Sequence, residues 1–416
     1  MEKIKVALLL SGFEGFSDLH LIESIKTLLP DSKFELKTFK IDTANVAKTV
    51  KEIEDFKPLF GIDFNTKGII WGQKENEKKP LHEVLGFVHF TVFTEDPLFH
   101  VENIFNLRGS TNTVFLITDL RYGEFLASLG FQNIFYFTPC VNLRLIPPKG
   151  EKDINLVFAG DAVDPALIVE SWSQVMDQAV RDFAVEVGEF CFRNPEIIPA
   201  LAVEYLLPLM NPQFQESFNK FRQENPKAYF AFLAHISAYT TARRNWFILN
   251  FLEGTELTIV GRAEGALPEG FSVAQITSFE DRVSYFNRAK MVLTAFPSFV
   301  PSSIGFTPLE VAACETALMI NFRSTLPSFF KPQEEVIAYN PLDRMDIEEK
   351  LLFYMENDED RQLIAQNAYK AVRERFVCQD RIEFIKNLMS NIHAQILQEK
   401  IASQQGDNNQ EPRSFN

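Results

Sequence analysis

Short apolar runs recur along the first 150 or so residues, spaced so that a helix fits between successive runs. They read KVALLL (Lys5–Leu10), KGIIWG (Lys67–Gly72), GFVHFTVF (Gly86–Phe93), NTVFLITD (Asn112–Asp119) and NIFYFTP (Asn133–Pro139). Each is bounded by turn residues or charges, and the first is followed by a glycine loop and the helical pattern LHLIESIKTLL. Continuous apolar strands alternating with helices predict a parallel sheet covered on both faces, because a parallel pair can be joined only through a crossover. Ligands of such sheets sit beyond the C-terminal ends of the strands. The loops at Gly12–Asp18, Asn65, Glu95–Pro97 and Asp119 fall there.

A polar, turn-rich stretch, PPKGEKD (Pro147–Asp153), reads as a linker, and a new strand, INLVFAG (Ile154–Gly160), follows it. From about Pro165 to Phe251 apolar residues recur at helical spacing, which predicts a helical insertion after the first strand of a second domain. The α/β rhythm then resumes with ELTIVG, FSVAQIT, KMVLTAF, ALMINF and EVIAYN as strands. The expected architecture is α/β, with two Rossmann-like domains facing across a cleft. Residues 1–150 form the first domain and 151–378 the second, whose insertion covers about 165–251. A helix over 379–401 crosses back toward the first domain, and a disordered tail covers 402–416.

The formal net charge is −15 and the pI near 5.0. Such a field repels a nucleic-acid backbone, and no local basic patch overrides it. No run reaches the 18 or so apolar residues of a spanning helix, so a cytoplasmic protein with no transmembrane segment is expected. Cys140, Cys191, Cys314 and Cys378 are far apart and lack metal-ligand spacing, which predicts reduced, buried thiols. Asp358 and Asp360 have the spacing of a metal-binding acid pair, but they open a helix, where acids favour the dipole; no metal is expected. Ala242–Arg244 reads as a basic helix end beside an acidic surface.

One stretch, PSSIGFTPLEVAACE (Pro301–Glu315), can be read in two ways. Thr307, Pro308 and Glu310 fit the N-cap, first and third positions of a helix, the hydroxyl and carboxylate each satisfying a backbone N–H. The same geometry presents unpaired N–H groups to an anion. Ser302, Ser303 and Gly305 before it would let a diphosphate approach the backbone.

The order of strand LTIVG, helix DRVSYFNRAK, strand MVLTAF, loop and helix PSSIGFTPLEVAAC, strand ALMINF and helix DEDRQLIAQNAYKAVRERF resembles the nucleotide-sugar half of GT-B glycosyltransferases, within the group 1 branch that includes the bacterial CgeB-like spore-maturation proteins. Their motif runs from a Gly to Glu-x-x-Ala-x-Gly, and Gly305, Glu310 and the following Ala-Ala match it. The next Gly is replaced by Glu315, and the earlier acid of the paired-glutamate pattern by Ser302. TEDP (Thr94–Pro97), FLITDLRYGEFLASLGFQNIFYFTPCVN and INLVFAG carry a weaker likeness. Together the resemblance covers about 60–160 and 240–385.

The resemblance implies hexosyl transfer from a nucleoside diphosphate sugar, with no cofactor or metal, to an unidentified acceptor: glycan, protein or small molecule. It assigns the donor to Gly305, Phe306, Thr307 and Glu310, the last on the ribose. Gly160, Gly261 and Arg262 end strands at the expected cleft, and Arg262 can fork onto phosphate oxygens; Asp161, Phe296 and Pro297 lie at the same edge. A general base for inverting transfer would come from Glu14, Asp18, His20 or Asp96, with Glu95 competing. Two alternatives stay open: a non-catalytic protein of the same shape, its site marked as decayed by Ser302 and Glu315, or a sugar-nucleotide epimerase or hydrolase.

Overall fold

The computed structural model describes residues 3–42, 44–74 and 77–408. In the first half β1 (Ile4–Leu10), β2 (Phe34–Lys40) and β3 (Phe60–Phe64) are followed by a two-stranded ribbon, β4 (Trp71–Lys74) and β5 (Glu77–Pro80), then by β6 (Val88–Phe93), β7 (Thr113–Ile117) and β8 (Ile134–Tyr136). The crossovers are α1 (Phe16–Leu28), α2 (Val46–Phe56), α3 (Leu81–Leu85), α4 (Val101–Asn106) and α5 (Leu120–Ser128). Six strands pair in the parallel order β2-β1-β3-β6-β7-β8. The third strand is Phe60–Phe64 and not KGIIWG, most of which forms the turn and the entry to the ribbon. Asp63 hides this strand from a hydropathy reading. It is nevertheless buried, because His89 Nε2 and the Gly68 amide occupy its two oxygens.

The second sheet is built from β9 (Ile154–Ala159), β11 (Leu257–Val260), β13 (Phe271–Val273), β14 (Ala289–Thr294), β15 (Ala317–Asn321) and β16 (Ile337–Tyr339), also all parallel, in the order β13-β11-β9-β14-β15-β16. A short parallel pair, β10 (Ala162–Val163) with β12 (Ala263–Glu264), forms a separate two-stranded ribbon just past the ends of β9 and β11. Between β10 and β11 the chain is helical: α6 (Pro165–Ser171), α7 (Gln178–Arg193), α8 (Pro199–Leu206), α9 (Pro212–Glu224) and α10 (Pro226–Phe251). The remaining helices are α11 (Phe279–Arg288), α12 (Thr307–Ala313), α13 (Arg344–Glu356), α14 (Asp358–Arg375) and α15 (Cys378–Asn408). No helix among the described residues is long and apolar enough to cross a membrane.

Three features join the halves. The insertion belongs to the second sheet by connectivity, yet its core, with Trp172, Phe183 and Phe232, is continuous with Phe93, Phe115 and Leu126 of the first. The helix α15 lays Ile382, Ile385 and Met389 against the core that also holds Leu21, Ile25 and β1. Phe306, from the second half, is buried in that same core. Burying this much apolar surface across the seam favours one closed arrangement of the two sheets.

Two expectations are corrected here. Cys140 and Cys378 form a disulfide, their Cα atoms 5.0 Å apart across 238 residues of sequence, while Cys191 and Cys314 are free and buried. The bridge ties the exit of the first sheet to the start of α15, a proximity that sequence spacing does not reveal. The last helix continues through Asn408, so the tail expected from residue 402 is helical as far as that residue; residues 409–416 lie outside the described residues.

Candidate functional site

The C-terminal ends of the two sheets face one another across the seam, and the loop from Phe296 to Phe306, between β14 and α12, crosses it. Gly305 takes a left-handed φ of +70°, with open space where a Cβ would be, so backbone conformation and not crowding calls for glycine. The helix begins at Thr307 with Phe306 as its N-cap residue, one position earlier than a Thr307 cap would place it. The side chains settle the matter beyond that one-residue ambiguity. The Thr307 hydroxyl accepts from Arg282 Nη2 at 2.6 Å instead of capping, and the Glu310 carboxylate does not turn back to the helix start.

Glu310 is fully buried. Arg282 Nε donates to its Oε2 at 2.9 Å, and His20 Nε2 lies 3.3 Å from Oε1. The Asn142 amide donates to His20 Nδ1 at 3.2 Å, which leaves Nε2 to donate to Glu310. Burial alone would push the carboxyl up, but the Arg282 guanidinium and the His20 hydrogen bond outweigh it and hold Glu310 down at about 2.

The serines divide. Ser302 is tied across the seam, its amide to Asp119 Oδ2 at 2.7 Å and its hydroxyl to Oδ1 at 3.0 Å. Asp119 also caps α5 through the Arg121 amide, and burial raises its pKa against those bonds. The Ser303 hydroxyl is buried, within reach of the Tyr136 hydroxyl.

Two arginines beside this loop carry a signal that the sequence reading missed. Arg323, just past β15, is buried, lies over the Phe296 ring and donates from Nη1 to the Val300 carbonyl; its Nε and Nη2 have no partner. Arg244 on α10 donates to the carbonyls of Phe296 and Cys191, and its Nε has none. Burial lowers the two guanidiniums to about 9 and about 10; at Arg323 the charge of Arg244 adds to that, while Asp119 and Glu196 oppose it. Arg244 had been read as a solvated helix end, and nothing in sequence marks the turn of α10 that faces the loop. Arg323 follows a strand at its C-terminal edge, which was the available clue.

The remaining candidates scatter. Gly261 is required by packing, since a Cβ there would meet the Gly160 carbonyl, and Gly160 itself sits against the Phe158 ring and Asn245. Arg262 is exposed, with Asp161 and Glu264 as loose partners. Glu14 staples its own loop, accepting from Ser11 and Gly12. Asp18 and Asp96 are buried, and burial lifts both to about 6. Asp18 accepts from the Gly15 amide and the Thr94 hydroxyl, and Asp96 from the Leu98 amide and the Ser237 hydroxyl, so neither faces solvent. His20 is equally sealed. The accessible acid at this edge is Glu95, paired with His100 Nε2 at 3.1 Å and Lys67 Nζ at 2.9 Å. Burial opposes its ionisation, but those two partners prevail and its pKa is lowered. His100 was not foreseen.

Among known proteins, residues 243–387 match the family model described as glycosyl transferase-like. A protein of Aquifex aeolicus (strain VF5), described only as uncharacterized, is 39% identical over 394 residues, 94% of this chain and 98% of that one. Among solved structures, sucrose-phosphate synthase from Thermosynechococcus elongatus is 10% identical, with 94% of this chain and all of that chain covered and a TM-score of 0.48. Anabaena HepE in complex with UDP-glucose is 9% identical, with 93% and 99% covered and a TM-score of 0.49.

Proposed function

Since the chain belongs to one family with the Aquifex aeolicus protein and carries a glycosyl transferase-like region over residues 243–387, we propose that it transfers a hexose-type sugar from a nucleoside diphosphate sugar to an acceptor hydroxyl, without a metal. The finer placement beside the CgeB-like proteins rests on the motif around Gly305 and Glu310. The observation that carries the reading is the pair of buried guanidiniums, Arg244 and Arg323, whose unpartnered N–H groups lie beside one loop. Buried donors left unpaired are costly, and a diphosphate is a ligand whose oxygens would satisfy them.

In this reading the diphosphate settles along Ser302–Gly305. The arginines then offset the charge that grows on the leaving group, as fixed donors aimed at a developing anion. Glu310 holds a ribose hydroxyl with Oε1, exchanging the His20 contact for the donor while Arg282 keeps Oε2 in place. The acceptor proton passes to His100, with Glu95 orienting the ring. Glu14 and Arg262 serve as rim residues.

A non-catalytic role has two observations in its favour: Glu310 already has both oxygens satisfied, and Ser302 is tied to Asp119. Calorimetric titration with UDP, GDP, CDP and their sugar conjugates separates the readings. Saturable binding of one nucleotide, weakened at least tenfold by Arg323→Gln and by Glu310→Ala, supports transfer. No binding across the panel overturns it in favour of the non-catalytic role.

A further inference from the structure

A cavity of about 620 Å³ lies between the first domain and the insertion, walled by α4 and α5 on one side and by α8, α9 and α10 on the other. It is separate from the diphosphate loop but adjoins it at two points. Arg121, on its wall, brings its backbone amide to 3.4 Å from the Ser302 hydroxyl. Glu196, also on its wall, accepts from the Ser324 amide at 2.7 Å, one residue beyond Arg323. The cavity wall and the loop where the donor phosphates are placed are therefore hydrogen-bonded neighbours.

We infer that this cavity is the acceptor site and that it takes a neutral carbohydrate, an inference that rests on the glycosyl-transfer reading. The volume is that of an ordinary small-molecule site. One wall is an aromatic platform: Phe125 stacks on Phe230 at 5.6 Å, and Phe105 meets the same ring edge-on at 5.7 Å. Interlocked rings lose little freedom when the apolar face of a sugar ring settles on them. The polar groups on the rim come as balanced pairs, Arg121 with Glu124 and Arg222 with Glu204. Each pair sets planar donors beside carboxylate acceptors, which suits hydroxyls that donate and accept from one carbon skeleton. The cavity holds three arginines and three glutamates in all, so it offers a polyanion no net attraction. The insertion thereby acquires a role, since without it α4 and α5 would present an open face.

The test is saturation-transfer NMR of the full-length protein with maltotriose, cellobiose, lactose and chitobiose, and with a hyaluronan disaccharide as the acidic comparison. Binding of UDP, GDP and CDP is measured in parallel. At least one neutral saccharide is expected to bind, tenfold or more weakly to Phe125→Ala, with the nucleotide affinity altered less than twofold. Arg222→Gln, on the exposed rim, serves if Phe125→Ala does not fold, and a threefold or greater loss is expected. Binding of none of the neutral saccharides, of the acidic one alone, or equally to wild type and variants overturns the inference. A bound nucleotide with no bound saccharide defeats this inference and leaves the donor reading intact. A bound saccharide with no bound nucleotide defeats the donor reading and leaves the cavity a carbohydrate site.

Discussion

His20 on α1 and Glu310 on α12, 290 residues apart in sequence, meet at 3.3 Å across the seam with neither side chain exposed to solvent. One donates and the other accepts, and Arg282 completes the set from α11. The acid that the motif resemblance assigns to the ribose is thus also a bond between the two halves, and under the proposed function donor binding and the closed arrangement would be coupled through one carboxylate.

Glu310→Gln should lower stability by about 2–3 kcal/mol, because it removes a charged hydrogen-bond acceptor and leaves Arg282 uncompensated. Urea denaturation checks this, and His20→Ala should cost less, since the ion pair survives.

The pH dependence has two opposed parts. Glu310 titrates near 2 when folded against an ordinary 4.5, so its contribution is complete above 4.5 and is lost as pH falls from there toward 2. Asp18 and Asp96 titrate near 6 when folded against 3.8, so they bind protons more tightly in the native state and penalise folding above 6. A shift of that size corresponds to ~3 kcal/mol per group. Thermal stability should therefore rise as pH falls from about 6 to 4.5 and give back part of that gain below about 4, and Asp96→Asn should flatten the rise.

Glu315 occupies the glycine position of the motif in a left-handed conformation, φ +49°, with Lys149 at 2.6 Å from its carboxylate. A left-handed residue with a Cβ costs roughly 1–2 kcal/mol, and a partly exposed ion pair returns at most about 1. Glu315→Gly should raise stability by about 0.5 kcal/mol, measured by chemical denaturation.

The Cys140–Cys378 bridge closes 238 residues, and a loop of that length gives a stabilisation of up to about 5 kcal/mol in the chain-entropy description. Thiol titration of the denatured protein should give two free groups before reduction and four after it. Both Cys378→Ser and reduction should lower the melting temperature.

Phe306→Ala should cost about 3 kcal/mol, as for other buried aromatics. Because that ring belongs to the core of the first half, its loss should also broaden calorimetric unfolding toward two transitions.

Strand and helix rhythm carried a large part of the fold: most parallel strands, the start of the second sheet at Ile154, the long helical stretch and the return to α/β order all follow from local periodicity. The strands Phe34–Lys40 and Phe60–Phe64 escaped, the first because charged and polar residues fill it and the second because Asp63 breaks its apolar pattern, and the partners that bury Asp63, His89 and Gly68, lie elsewhere in the chain. At the site, Gly305 and Glu310 were legible as a motif, and Ser302 and Ser303 as small polar residues in a loop. Arg323, Arg244 and His100 were not, because their meaning depends on which groups surround them.

The order of apolar runs and turn residues determined by itself the layered α/β class of this protein and the position of its loops at the strand ends, since both depend on spacing of 2 or 3.6 residues along one chain. Tertiary structure alone decided that the insertion closes on the first sheet, that Cys140 finds Cys378, that Glu310 is shared between His20 and Arg282, and that two arginines are buried beside one loop. Those facts are contacts between segments scores of residues apart, whose burial and charge exist only once the two sheets have met.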